Sequence, residues 1–241
     1  MLLAASGCVT PPHLGKDEGR EAVVWQHKSL VTPPTPTTPT EAERNTERTL
    51  LEDLHEEQSQ GNDLAQADTL YNLAILRRQQ GDMAKAQELY QQALAIREQK
   101  QGPDHPDVAK VLNNLATLEA AQGDYDAAQP LLERALRIRE AALGNGSELT
   151  AQSLNNLALL YAARGNAATA EPLYQRSLAI FEKSDAAQGG AARQAELERV
   201  LENYGALLRE TGRNTEAQEL EARARDLAAA ASKGQPQNAP R

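Results

Sequence analysis

Cysteine occurs once in the 241 residues, at position 8, so the chain can form neither an internal disulfide nor a multi-cysteine metal site. Aromatic residues make up only 3%, with one Trp and one Phe, which disfavours sandwiches and barrels built from aromatic and β-branched strands. No run approaches the roughly 18 apolar residues of a membrane-spanning helix. Positive charge is in deficit: 25 Lys and Arg face 34 Asp and Glu, a formal charge of −9. An acidic chain with few aromatics is poorly suited to binding nucleic acid. Ala, Leu, Glu, Gln and Arg are abundant instead, the residues that lose least on entering a helix. The expected fold class is all-α.

The first forty residues differ from the rest. Lys16, Arg20 and Lys28 balance Asp17, Glu18 and Glu21, so the whole negative charge belongs to residues 41–241. This stretch holds six of the twelve prolines and the only Trp, Trp25. Its end, Thr32-Pro33-Pro34-Thr35-Pro36-Thr37-Thr38-Pro39-Thr40, cannot be helical, because proline removes backbone donors and pushes its predecessor out of the helical region. It reads as an extended, semi-rigid spacer.

Repeats dominate the remainder. Asn72-Leu73-Ala74 recurs 42 residues later as Asn114-Leu115-Ala116 and again as Asn156-Leu157-Ala158. The same interval relates Gly81, Gly123 and Gly165, and likewise Ala86, Ala128 and Ala170. Columns of Leu (89, 131, 173 and 94, 136, 178), Ile (96, 138, 180) and Glu (98, 140, 182) complete nine identical positions. Within one unit, Leu112, Leu115 and Ala116 line one face of a first helix, which Gly123 ends. Asp124 can cap a second helix, whose apolar stripe runs through Ala128, Leu131, Leu132, Ala135, Leu136 and Ile138. The small pair Ala116 and Ala128 lets the two helices approach closely. Gly102-Pro103-Asp104-His105-Pro106 and Gly144-Asn145-Gly146-Ser147 break the chain between units. Such a hairpin cannot hide its apolar face alone, so neighbours must stack into a solenoid. Pro130 and Pro172 stand early in their second helices and predict a late start or a kink there.

These residues resemble the tetratricopeptide repeat, in its 42-residue kinesin-light-chain-like form; LNNLA…QGDYDAAQPLLERALRIRE at 112–140 carries the likeness most fully. The resemblance covers 68–183 and extends more weakly to 192–231, where Asn203, Gly212, Ala217 and Leu220 repeat the columns at 47 residues. The extra five fall in the Gly/Ala-rich 184–192. Leu50, Leu51 and Leu54 mark a lone second helix upstream. The expected organisation is a signal remnant at 1–8, a linker at 9–40, a half-repeat helix within 41–67, three repeats over 68–191, a capping repeat at 192–231 and a disordered tail at 232–241. That makes about nine helices.

The N-terminus carries a second resemblance. Leu2-Leu3-Ala4-Ala5-Ser6-Gly7-Cys8 is similar to the cleavage box of bacterial lipoproteins, in which the cysteine becomes the lipidated first residue. Ala5 stands where such boxes prefer Leu, and the short apolar stub lacks a basic start, which fits a start inside a longer signal. The resemblance implies lipidation of Cys8, membrane contact only through that anchor, and, since Val9 is not Asp, the outer membrane of the bacterial envelope.

Candidate chemistry is sparse. His13, His27, His55 and His105 show no zinc-helix spacing, and no G-x-S-x-G or phosphate-cradling GxxxxGK[ST] occurs. Asp104-His105-Pro106-Asp107 reads as a turn before it reads as a ligand set, and acidic pairs such as Glu52-Asp53 and Glu56-Glu57 read as solvated faces. No enzyme, cofactor or metal is expected.

The repeat resemblance instead implies a concave groove lined by first helices: Asp68, Tyr71, Ile75 and Arg78; Lys110, Asn113, Thr117 and Ala120; Gln152, Asn155, Leu159 and Ala162; Arg199, Glu202, Ala206 and Arg209. Asn113 and Asn155 match the amides that hold peptide backbones in kinesin light chains, since an amide both donates and accepts. Arg78, Lys110, Arg199 and Arg209 would favour an acidic or carboxylate-bearing partner unless Asp68 and Glu202 neutralise them. Asn72, Asn114 and Asn156, by contrast, are expected to bond between helices, and Tyr90 and Tyr174 to pack in the core. The function expected is a non-catalytic scaffold binding a peptide or protein in the groove, anchored in the bacterial envelope. The alternatives are a self-associating structural solenoid and a cytoplasmic adaptor.

Overall fold

The computed structural model describes residues 38–183 and 190–234, with side chains followed to 229. Cys8 and Trp25 lie outside these residues. Among them the secondary structure is nine helices: α1 (Glu41–Gln60), α2 (Asp63–Gln79), α3 (Met83–Gln101), α4 (Pro106–Ala121), α5 (Tyr125–Leu143), α6 (Glu148–Ala163), α7 (Ala167–Lys183), α8 (Gly190–Glu210) and α9 (Asn214–Gly234). Four hairpins come after the half-repeat helix α1: α2/α3, α4/α5, α6/α7 and α8/α9. Each hairpin docks on the next, and the first helices α4, α6 and α8 also touch one another directly. No described helix is long and apolar enough to cross a membrane.

Local chemistry sets the helix ends. The Thr40 hydroxyl accepts from the Glu43 amide while the Glu43 carboxylate accepts from the Thr40 amide, a reciprocal cap that starts α1. The Asp124 carboxylate accepts from the Ala127 amide at 2.9 Å and starts α5. Between α4 and α5 the chain reverses at Gly123, whose φ of +86° is costly for any residue with a Cβ. Before α4, His105 takes the capping role itself: its Nδ1 accepts from the Asp107 amide at 3.2 Å, and Pro106 supplies the first helical residue.

Packing obeys the 42-residue columns. Ala116 and Ala128 are fully buried against each other's helices, as are Ala74 with Ala86 and Ala158 with Ala170. At the last hairpin Gly205 performs this service: a Cβ there would stand 3.2 Å from Glu221 Cγ and 3.4 Å from the Ala217 carbonyl oxygen. Tyr90 packs against Tyr71 with ring centroids 5.7 Å apart, and Tyr174 stacks on Tyr204 at 5.8 Å. Both Tyr90 and Tyr174 are core residues. Burial pushes the Tyr90 phenol up to about 12, although the nearby Arg78 guanidinium pulls it back.

The prolines do not delay their helices. Pro130 is the sixth residue of α5 and Pro172 the sixth of α7, both exposed, and each helix starts upstream of its proline. The missing amide falls early in the second turn, on the solvent flank, where water can take the carbonyl it would have bonded.

The second helices are joined by a ladder with nearly the same period. Arg134 Nη1 meets Glu98 Oε1 at 2.6 Å, Arg176 Nη2 meets Glu140 Oε1 at 2.8 Å, and Arg223 Nη2 meets Glu182 Oε1 at 2.6 Å. All six side chains are partly exposed, so each pair adds about 0–1 kcal/mol and sets register more than stability.

Candidate functional site

The first helices form one wall, and their inward positions are the ones the sequence assigns to a groove. In the two central repeats that wall is closed. Asn113 is 1% exposed and Asn155 0%, and Thr117, Ala120, Gln152, Leu159 and Ala162 are buried beside them. Asn113 Nδ2 donates to the Ala109 carbonyl at 3.0 Å and to Ser153 Oγ at 3.2 Å, while its Oδ1 accepts from Asn156 Nδ2 at 3.4 Å. Asn155 Oδ1 accepts from Asn203 Nδ2 at 3.2 Å. The amides expected to hold a peptide backbone therefore tie α4 to α6 and α6 to α8. That assignment is corrected: small neighbours let adjacent first helices come close enough for the amides to bond across the gap, leaving no side-chain surface for a ligand.

The cations expected in the groove also divide. Arg199 is buried and paired with Glu196, one turn away on α8. Arg209 Nη2 reaches Glu221 of α9 at 2.5 Å, turning along its own hairpin. Neither uses Glu202, which is exposed; its carboxyl is held above the ordinary range by partial burial and the charge of Glu198. Asp68 pairs with Arg97 of α3 and does not neutralise Lys110 or Arg78. Arg78 is half-buried beside Tyr90. Lys110 differs: its Nζ sits 4.8 Å from the centroid of the Tyr71 ring, and it makes no ion pair among the described residues. Tyr71 is itself held by Asn114, whose Nδ2 donates to its phenolic oxygen at 2.7 Å. Asn114 and Asn156 thus bond between helices as the sequence suggests. Tyr71 and Lys110 are brought together at the α2–α4 junction, while Arg199 and Arg209 are withdrawn into local pairs.

Two buried arginines escape the sequence reading. Arg97 bridges three helices: from α3 it pairs with Asp68 on α2 and, at 2.9 Å, with Asp107 on α4. Burial alone would raise the Asp107 carboxyl, but the Gln101 hydrogen bond and the charges of Arg97 and His105 outweigh it and hold it below the usual range. One period later Arg139 occupies the same place with different partners, donating to the Leu149 carbonyl at 2.8 Å and Ser153 Oγ at 3.0 Å. The column breaks at Phe181, which hides it from a search for identical positions. No group of three His, Cys, Asp or Glu side chains placed to share a metal ion occurs among the described residues.

A family model described as the tetratricopeptide repeat matches residues 65–141 and 107–183. These are tetratricopeptide repeats. The structure of BtubC (BKLC) from P. vanneervenii is similar, with a TM-score of 0.70 and 27% identity over 83% of this chain and 78% of that one. The nearly identical TPR-like repeats assigned to a kinesin light chain of Podosopora anserina superpose with a TM-score of 0.59 at 23% identity, over 81% of this chain and 90% of theirs. A single-substitution variant of those repeats gives 0.62 at 22%, over 80% and 89%. No curated protein matches the sequence significantly. Tetratricopeptide-repeat solenoids generally mediate protein–protein interaction and are typically non-catalytic. In this one the α4–α6–α8 part of the wall serves cohesion; Tyr71, expected to line the groove, is buried in the core, and only the half-buried Lys110 above its ring keeps a cation at the α2–α4 junction.

Proposed function

We propose that this solenoid is a non-catalytic scaffold that holds an acidic or carboxylate-bearing segment of a protein partner against the α2–α4 junction of its inner wall. One observation carries the reading: the Lys110 ammonium is uncompensated and poised over the Tyr71 ring in a chain whose net charge is strongly negative. A cation fixed over an aromatic face and half-shielded from water attracts a carboxylate more strongly than a free surface lysine. Ile75, half-buried one turn from Tyr71 on α2, offers the apolar contact an extended segment needs. Lys110→Gln is expected to reduce capture of native partners by roughly five- to tenfold, which corresponds to about 1–1.4 kcal/mol for a single charged contact. Helical circular dichroism should be unchanged. Equal yield of the same partners from wild type and Lys110→Gln would refute the assignment.

The scaffold is proposed to act from a membrane surface, through a lipid on Cys8. The support is the small-residue box before Cys8 and the polar stretch from Thr10 to Glu21 that follows it, which can link a lipid anchor to the repeats. A single acyl chain anchors only marginally, so the multiple chains of a lipoprotein would be needed. The intact mass of natively expressed protein, extracted from membranes, is expected to correspond to a chain beginning at acylated Cys8. An unmodified cysteine would overturn this.

A further inference from the structure

α1 stands one period before α3: Glu41 to Met83 is 42 residues, and the two helices end within a residue of that offset. In α3 the face carrying Ala86, Tyr90, Ala93 and Arg97 is covered by the preceding first helix, α2, and all four are buried. The residues 42 positions earlier are Arg44, Arg48, Leu51 and His55. Together with Glu47 and Glu52 they line an open trough of about 650 Å³ along α1, and Leu51 is left 48% exposed within it. The trough is the socket for a first helix that no described residue provides.

We infer that this socket is covered by residues 22–31 of the same chain, with Trp25 seated over Leu51 between the arginine stems. One period upstream of α2 (Asp63–Gln79) lies 21–37, so the segment occupies the sequence position of the missing first helix. It contains Ala22, Val23, Val24, Trp25, Leu30 and Val31, the richest apolar stretch between the cysteine and α1. The prolines at 33, 34 and 36 forbid a full helical hairpin, in keeping with a socket lined by Arg44 and Arg48 where the later repeats place Ala (86, 128, 170) and Tyr or Leu (90, 132, 174). An indole fits such a lining: its face takes a guanidinium and its edge an aliphatic side chain. The chain entering α1 is already bonded to one of the trough's own side chains, because the Arg44 guanidinium donates to the Pro39 carbonyl. Reach is sufficient, since nine residues from Thr32 to Thr40 span about 28 Å in an extended proline-rich conformation, close to the ~30 Å length of a 20-residue helix. A tether this short presents its own segment at an effective concentration that a second copy does not match.

Trp25 is the only tryptophan, so its fluorescence reports on this contact alone. In the full chain, acrylamide quenching of Trp25 is expected to be about twofold weaker than in Leu51→Asp, with emission to the blue of that variant, as for an indole moved from apolar contact to water. Arg48→Glu should act in the same direction. Circular dichroism checks that both variants keep the solenoid, which the exposure of both positions favours. The inference fails if quenching is identical in wild type and both variants. It fails equally if protection disappears on dilution together with a dimer seen by light scattering, which would make a second copy the occupant.

Discussion

Phe181→Ala is expected to destabilise the solenoid by about 3–5 kcal/mol, the cost of removing a fully buried aromatic side chain without collapse of the site. Phe181 is completely buried in the cluster that joins the third and fourth repeats, with Tyr174, Leu197, Val200 and Leu201. Those contacts lie on α7 and α8, and the α7–α8 connection is where the repeat interval lengthens from 42 to 47. In a chain of about this length such a loss lowers Tm by roughly 10 °C. Because each repeat is coupled chiefly to its neighbours, the damage should be local. Hydrogen exchange is expected to accelerate most in α8 and α9 and least in α2 and α3; uniform acceleration would show that the array unfolds as one unit.

Arg97→Met should be the most damaging change to a charged residue. It strips the shared cation from Asp68 and Asp107 and separates three helices electrostatically. Breaking a buried pair from one side costs about 3–5 kcal/mol, but both carboxylates are partly exposed, which reduces the expectation to about 2–3 kcal/mol in urea unfolding at neutral pH. The pH dependence stems from Asp107. Its folded carboxyl titrates below the ordinary value, so its contribution is fully present above about pH 4, where unfolded aspartate is ionised, and is lost as pH falls through the folded value. The wild type should therefore lose stability through that acid window. Arg97→Met should lose less there, having surrendered one source of the depression. An unchanged acid profile in the variant would show that Gln101 and His105 set the Asp107 carboxyl without Arg97.

The architecture was legible because it is written locally. Gly123, Asp124, Ala116 and Ala128 each carry a role that depends on neighbours within one hairpin, and 42-residue repetition multiplied the signal. Asn113 and Asn155 were misassigned for the opposite reason. Periodicity tells which side of a helix a residue occupies, but the width of the gap between successive first helices depends on Ser153, Asn156 and Asn203, contributed 40 to 48 residues away. The binding partners of Arg97 lie 29 residues before it and 10 after, so its role emerges only when α2 and α4 are placed beside α3. Arg199 and Arg209 were read correctly as first-helix residues, but a long cation takes the nearest carboxylate, here Glu196 and Glu221. Pro130 was judged by its general cost; an exposed place early in the second turn, open to water, is where that cost is small.

The acidic–basic rungs between second helices have a consequence for how such a chain can change size. The first two rungs each join a Glu to an Arg 36 residues on, and the repeat unit itself is 42 residues. Excising one full unit between Glu98 and Arg176 would bring Arg176 into the seat Arg134 vacates, with every remaining rung still made. Length in this molecule is thus a quantity that can be added or subtracted in whole steps, with the joinery unchanged at each splice.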